Sequence, residues 1–151
     1  FVSCIFVFLS TGEIGYCVLN CPGSWHDAEI ARDLTKFIVE KIPPPFNIIG
    51  DSAFSSKEQK EHLKILVPSK RGGEFDKGTI TTAQLARKVA QNRHIVNARQ
   101  AAEWGMRALQ GTFARLHMPL PENDSERLRI LFVITRLYQV RVRLVGLNQI
   151  R

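Results

Sequence analysis

Two carboxylates stand out by position. Asp51 directly follows an apolar run, Phe46 to Ile49, and a glycine, Gly50. In α/β folds ligands meet the sheet at the carboxyl ends of its strands, so an acid there is placed to hold a cation or a polar group. Gly50-Asp51-Ser52 is also ordinary turn chemistry, because an Asp side chain closes local backbone hydrogen bonds. Glu103 is the only carboxylate between Lys77 and Pro121. Arg99 and Arg107 lie four residues before and after it and share its helix face. On residues alone this is either a set of surface ion pairs, each worth under about 1 kcal/mol, or a carboxylate that neighbouring cations keep ionised, as a metal ligand must be. Ala98, Ala101 and Ala102 make its surroundings small, and Trp104 makes them partly apolar.

Other reactive types show no constellation. His26 and Asp27 are adjacent and diverge on a helix, so Asp27 reads as the capping-box partner of Ser24. Cys4, Cys17 and Cys21 are odd in number and lack a CxxC pair, and the step from Cys21 to His26 fits no zinc pattern. Free, buried thiols in a reducing compartment are expected. There is no Walker-type phosphate loop, no GxSxG and no spacing that suggests a nucleophilic triad.

The elements that position these residues follow from apolar periodicity. Phe1 to Leu9 and Ile14 to Leu19, around Thr11-Gly12-Glu13, read as a β-hairpin, with Cys21-Pro22-Gly23 ending its second strand. Ser24 opens a helix carrying Ala28, Ala31, Leu34, Phe37 and Ile38, which Pro43-Pro44-Pro45 stops. Short strands are expected over Phe46 to Ile49 and Ile65 to Val67, with a polar loop from Lys70 to Gly78. A helical region runs from Thr82 to Leu116, with a break near Asn97 or Gly111, and Asn123 with Glu126 opens a helix from Asp124 to Val145. Strands lead and helices close, which predicts an α/β domain of two or three layers, a single domain over residues 1–151.

The chain has 151 residues, of which 44% are hydrophobic and 23% charged. At this length a core forms without disulfides. Apolar residues spread along the chain argue against disorder. No apolar run reaches the roughly 18 residues of a membrane span. The chain starts at Phe1, inside a strand, so a fragment lacking its upstream part is expected. The net charge is +7, compatible with a polyanionic partner. After Glu126 there is no acid, while Arg127, Arg129, Arg136, Arg141, Arg143 and Arg151 follow.

Four blocks then appear in order. Asn20-Cys21-Pro22-Gly23-Ser24-Trp25-His26-Asp27 resembles the PGSxHD signature of Harbinger-type DDE transposases, the DDE superfamily endonucleases. Gly50-Asp51-Ser52-Ala53-Phe54 resembles that family's GDxxY/F block, Val67-Pro68 its next strand-Pro segment, and Asn92, Arg99 and Glu103 its N-x6-R-x3-E helix, continued by Gly105, Leu109 and Phe113. The resemblance covers roughly residues 10 to 116. It implies an RNase H-like mixed sheet flanked by helices, here incomplete at the N-terminus. It implies a site of three carboxylates binding Mg²⁺ or Mn²⁺, with Asp51 the second acid and Glu103 the third, and cleavage of DNA by a two-metal mechanism in the nucleus. The first acid belongs to an Asp-Gly strand before the PGS signature. The only acid before Asp27 is Glu13, on the hairpin turn. Two of three carboxylates would bind metal and cut poorly, which leaves a second expectation: a decayed or domesticated transposase that binds DNA or a partner without catalysis. A generic basic α/β domain is a third, and it leaves the order of the blocks unexplained. No helix-turn-helix or zinc module is present, so target choice would come from a separate DNA-binding protein.

Overall fold

A computed structural model describes residues 1–51, 54, 65–69 and 81–146. The first two apolar runs form β1 (Val2–Phe8) and β2 (Ile14–Pro22), paired antiparallel with Val2 opposite Pro22 and Phe8 opposite Ile14. Gly12, at φ 86°, turns the chain between them, and the Leu9 N–H closes on the Glu13 carbonyl at 2.8 Å. β2 runs further than its apolar stretch, to Pro22, which sits opposite Val2 at the open end of the hairpin, where a missing N–H is tolerated. The register slips between Ser3 and Ile5, where β2 carries an extra residue. Asn20 lies there at φ 62°, a conformation that Asn tolerates better than most residues, and such bulges bend a strand.

α1 (Asp27–Lys41) buries Ile30, Ala31, Leu34 and Ile38, one stripe at helical spacing. It opens two residues later than a Ser24 cap requires. The Trp25 N–H donates to the Pro22 carbonyl at 3.0 Å, so Ser24 lies inside a turn, and the first carbonyl drawn into the helix is that of His26. The side chain of Asp27 lies outside the described residues, and so does the expected loop from Lys70 to Gly78.

α2 (Thr82–Thr112) is continuous for 31 residues through Asn97 and ends one residue after Gly111, where Phe113 is extended, so of the two expected break points the second is the one observed. A single turn of 3₁₀ helix, Ala114–His117, follows it. α3 (Asp124–Val145) has the expected bounds because its cap is local: the Asn123 side chain accepts from the N–H groups of Ser125 and Glu126 at 3.0 and 3.1 Å. Among the described residues no helix is long and apolar enough to cross a membrane.

The chain divides into two units, residues 1–36 with 101–151, and residues 37–100. In the first, Leu109 of α2 and Ile134, Tyr138 and Val142 of α3 form a buried cluster, against which Phe6, Phe8 and Ile14 of the hairpin pack. Tyr138 is 0% exposed; its ring meets that of Phe8 edge-on at 6.2 Å, and its hydroxyl donates to the Gly12 carbonyl at 3.3 Å. The Gln139 amide serves both backbone groups of Ile14: its oxygen accepts from the N–H at 2.9 Å and its nitrogen donates to the carbonyl at 3.3 Å. The three cysteines are free thiols, Cys21 buried and Cys4 and Cys17 half-buried. Burial pushes the Cys4 and Cys17 thiols up from their ordinary range.

In the second unit β3 (Ile48–Ile49) and β4 (Ile65–Leu66) pair in parallel, Ile48 with Ile65 and Ile49 with Leu66. The architecture is mixed α/β, with small sheets and long helices.

Candidate active site

Asp51 stands just past the carboxyl end of β3. The Gly50 N–H donates to the Leu66 carbonyl at 2.9 Å, which carries the β3–β4 pairing one residue further and fixes the backbone that presents Asp51. A Cβ on Gly50 would lie 3.1 Å from the Ile65 side chain and 3.2 Å from the Phe54 ring, so a side chain there would press on both. The Asp51 carbonyl accepts from the Phe54 N–H at 3.0 Å. Asp51 is exposed. β4 ends beside β3, and the segment after it, Val67-Pro68-Ser69, is gripped from α2: the Asn92 side chain accepts from the Ser69 N–H at 2.8 Å. Two of the recognised blocks thus meet in space, and Asn92 is a strap at the carboxyl end of the parallel pair.

Glu103 is half-buried on α2, in the first unit. Two residues on, Gly105 is buried, and a Cβ there would lie 2.7–2.9 Å from the ring of Phe8. The helix therefore lies flush on the hairpin just after Glu103, and the contact fixes the rotation of the turn that carries the acid. Arg99, half-buried, and Arg107, exposed, lie on the same α-helix four residues to either side, as the spacing predicts. Asp51 and Glu103 fall in different units, and each is placed here within its own.

Glu13, the only acid before Asp27, is committed elsewhere. Arg143 of α3 donates its Nε–H to the Glu13 carboxylate at 2.7 Å and the Thr11 hydroxyl donates at 3.1 Å. The Arg143 hydrogen bond, with that of Thr11, holds the Glu13 carboxyl below the usual carboxylate range. The donor chemistry of Asp51 and Glu103 suits a hard divalent cation, which takes carboxylate oxygens. Their number does not complete a two-ion site: among the described residues no three His, Cys, Asp or Glu side chains gather to hold a metal.

The arginines expected on the C-terminal half divide by role. Arg127 is structural: it donates to the Asn20 side-chain oxygen, to the carbonyls of Pro121 and Glu122 at 3.1 Å, and to the Asp124 carboxylate. The Asn20 amide returns a bond to the Asp124 carbonyl at 3.1 Å, so the bulge of β2 is tied to the start of α3. Residue type alone did not show this; the signal was an Asn two residues before Pro22, in a strand otherwise apolar. Arg87, Lys88 and Arg93 on α2, and Arg129, Arg136 and Arg141 on α3, are exposed.

Comparison with curated proteins and with solved structures gives no match. A family model described as DDE superfamily endonuclease matches residues 1–139, which include every block named above, both acids and all but the end of α3, and the chain belongs to that family.

Proposed function

We propose that this chain is the DNA-cleaving domain of a Harbinger-type transposase, a single RNase H-like domain acting in the nucleus. The observation that carries the reading is the order of the PGSxHD, GDxxF, Val67-Pro68 and N-x6-R-x3-E blocks within the matched residues 1–139. In this reading Asp51 and Glu103 ligate Mg²⁺ or Mn²⁺, which when bound activates a water or 3′-hydroxyl and steadies the leaving oxygen of an in-line displacement. The chain's own residues do the remaining work. Arg99 and Arg107 flank Glu103 on α2. Arg87, Lys88 and Arg93 neutralise phosphates. Glu13 is bonded to Arg143 and Thr11, and the reading draws the first acid from an Asp-Gly strand outside these 151 residues. The shortfall of one ligand favours a second reading, a domain that binds DNA or a partner without cutting.

A plasmid assay separates them. The 151-residue chain should shift supercoiled plasmid in a gel, and the shift should weaken steeply with salt as phosphate contacts release counterions. It should nick little in Mg²⁺ or Mn²⁺. A longer natural chain carrying the Asp-Gly strand should nick, and Asp51→Ala or Glu103→Ala should lower its rate by at least about 100-fold, the loss of a metal ligand. Strong chelator-sensitive nicking by the 151-residue chain refutes an incomplete site. Absence of nicking by the longer chain establishes the binding-only reading.

A further inference from the structure

α3 is apolar on two opposite sides. One side holds the core residues Leu131, Ile134, Thr135, Tyr138 and Val142. The other carries Val133, Leu137, Val140 and Leu144, which are 53%, 51%, 53% and 80% exposed. Their steps of four, three and four residues are those of a coiled-coil seam, with Val133 and Val140 at d positions and Leu137 and Leu144 at a. In the same register Arg129, Arg136 and Arg143 fall at three successive g positions, and Arg141 falls at e. A helix with two apolar sides is ordinarily covered on both.

We propose that this seam is a docking site for an acidic amphipathic helix of a partner protein, with apolar residues at a and d and Asp or Glu at e and g. Charge selects the occupant. In coiled coils the e and g residues of the two helices face each other and set partner choice. A second copy of this chain is disfavoured in either direction: parallel pairing puts Arg136 against the Arg141 of the other copy, and antiparallel pairing sets g arginines against g arginines. No carboxylate follows Glu126 to relieve this. DNA phosphates would engage the arginines and leave four apolar side chains without cover. Arg136 lies over the Phe132 ring at 4.9 Å. Arg143 is shared with Glu13, its side chain still 67% exposed, so Arg129 and Arg136 carry most of the selection. The inference is independent of the nuclease reading, since none of these residues belongs to the proposed acidic site.

The test uses a fluorescent peptide about four heptads long, with Leu at a and d and Glu at e and g, and a twin with Lys in place of Glu. Anisotropy titration should show the Glu peptide binding the chain at least about tenfold more tightly than the Lys peptide, with the difference shrinking in high salt. Arg129→Glu with Arg136→Glu should reverse the preference, a gain of binding that a merely damaged fold does not give. Leu137→Asp with Val140→Asp should abolish binding of both peptides while the helical circular dichroism is kept. Equal binding of the two peptides, or no binding, overturns the proposal. So does sedimentation showing a dimer that Leu137→Asp dissociates. Displacement of the Glu peptide by duplex DNA, with DNA binding lost in the charge-reversed variant and kept in the Leu137→Asp variant, assigns the surface to nucleic acid and overturns it also.

Discussion

Replacing Gly105 by Ala tests how closely α2 lies on the hairpin. The new Cβ would stand 2.7 Å from one ring carbon of Phe8 and 2.8 Å from the next, distances that real side chains do not adopt. A ring wedged between α2 and Tyr138 cannot swing aside freely, so the helix must lift or the ring must leave its rotamer, at a cost of about 1–3 kcal/mol. Against this, Ala is favoured over Gly in a helix by about 1 kcal/mol. The net expectation for Gly105→Ala is a loss of up to about 2 kcal/mol. Gly111, in the same helix, is the control: nothing lies within 4 Å of its would-be Cβ, so Gly111→Ala should stabilise by up to about 1 kcal/mol, less for its place beside the helix end. The propensity gain largely cancels between the two variants, and their difference isolates the clash at about 1–3 kcal/mol. Urea unfolding followed by circular dichroism reads this as opposite shifts of the midpoint at constant slope. Phe8→Leu in the Gly105→Ala background should recover part of the loss, as coupled neighbours do in a double-mutant cycle. A Gly105→Ala midpoint equal to or above that of Gly111→Ala would refute the flush packing, and with it the account of what fixes the turn bearing Glu103.

Further outcomes follow from caps and ion pairs. Asn123→Ala removes the acceptor for the Ser125 and Glu126 N–H groups and should cost about 1 kcal/mol, while Asn123→Ser should restore most of it; thermal melts of the three proteins decide this. The Glu13 carboxyl has its folded pKa lowered, above all by Arg143. Its contribution is therefore complete above the unfolded value, about 4.3, and is lost as pH falls through the folded one. The stability difference between the native chain and Glu13→Gln, measured by urea unfolding from pH 7 downwards, should shrink in acid, and Arg143→Ala should flatten it; a difference that grows in acid contradicts the pairing.

What the sequence revealed was set by how local each signal is. The hairpin turn at Gly12 and the Asn123 cap act within a few residues, and the elements they bound came out close to their observed limits. Of the two weak helix formers at which α2 was read as breakable, Asn97 costs about 1 kcal/mol or less, too little to interrupt the helix, while Gly111 stands one residue before its end. The start of α1 was misplaced because a Pro22–Trp25 turn competes for Ser24, and a capping pattern does not announce its rival. At the site, the strand-end position of Asp51 and the helical position of Glu103 were readable from apolar runs and spacing. The commitment of Glu13 was not, because its partner Arg143 lies 130 residues away. Nor was the grip of Asn92 on Ser69, across 23 residues, since Asn on a polar helix looks like any solvated side chain.

The bonds that join the hairpin to α3 also bear on how the chain comes into being. Ile14 and Gln139 are 125 residues apart, Gly12 and Tyr138 are 126 apart, and Glu13 and Arg143 are 130 apart. Contacts this distant in sequence are slow to form, because the entropy of closing the loop is lost before the contact returns anything. During synthesis the delay is longer still. The hairpin leaves the ribosome before α3, and at roughly 5–20 residues per second its cover in α3 follows only some 6–25 s later. Through that interval Phe6 and Phe8 lack Tyr138, and for most of it Leu109 as well. A nascent chain carrying an uncovered apolar two-stranded ribbon is a substrate for holding chaperones, and translation speed across the stretch before Asp124 governs how long it stays one.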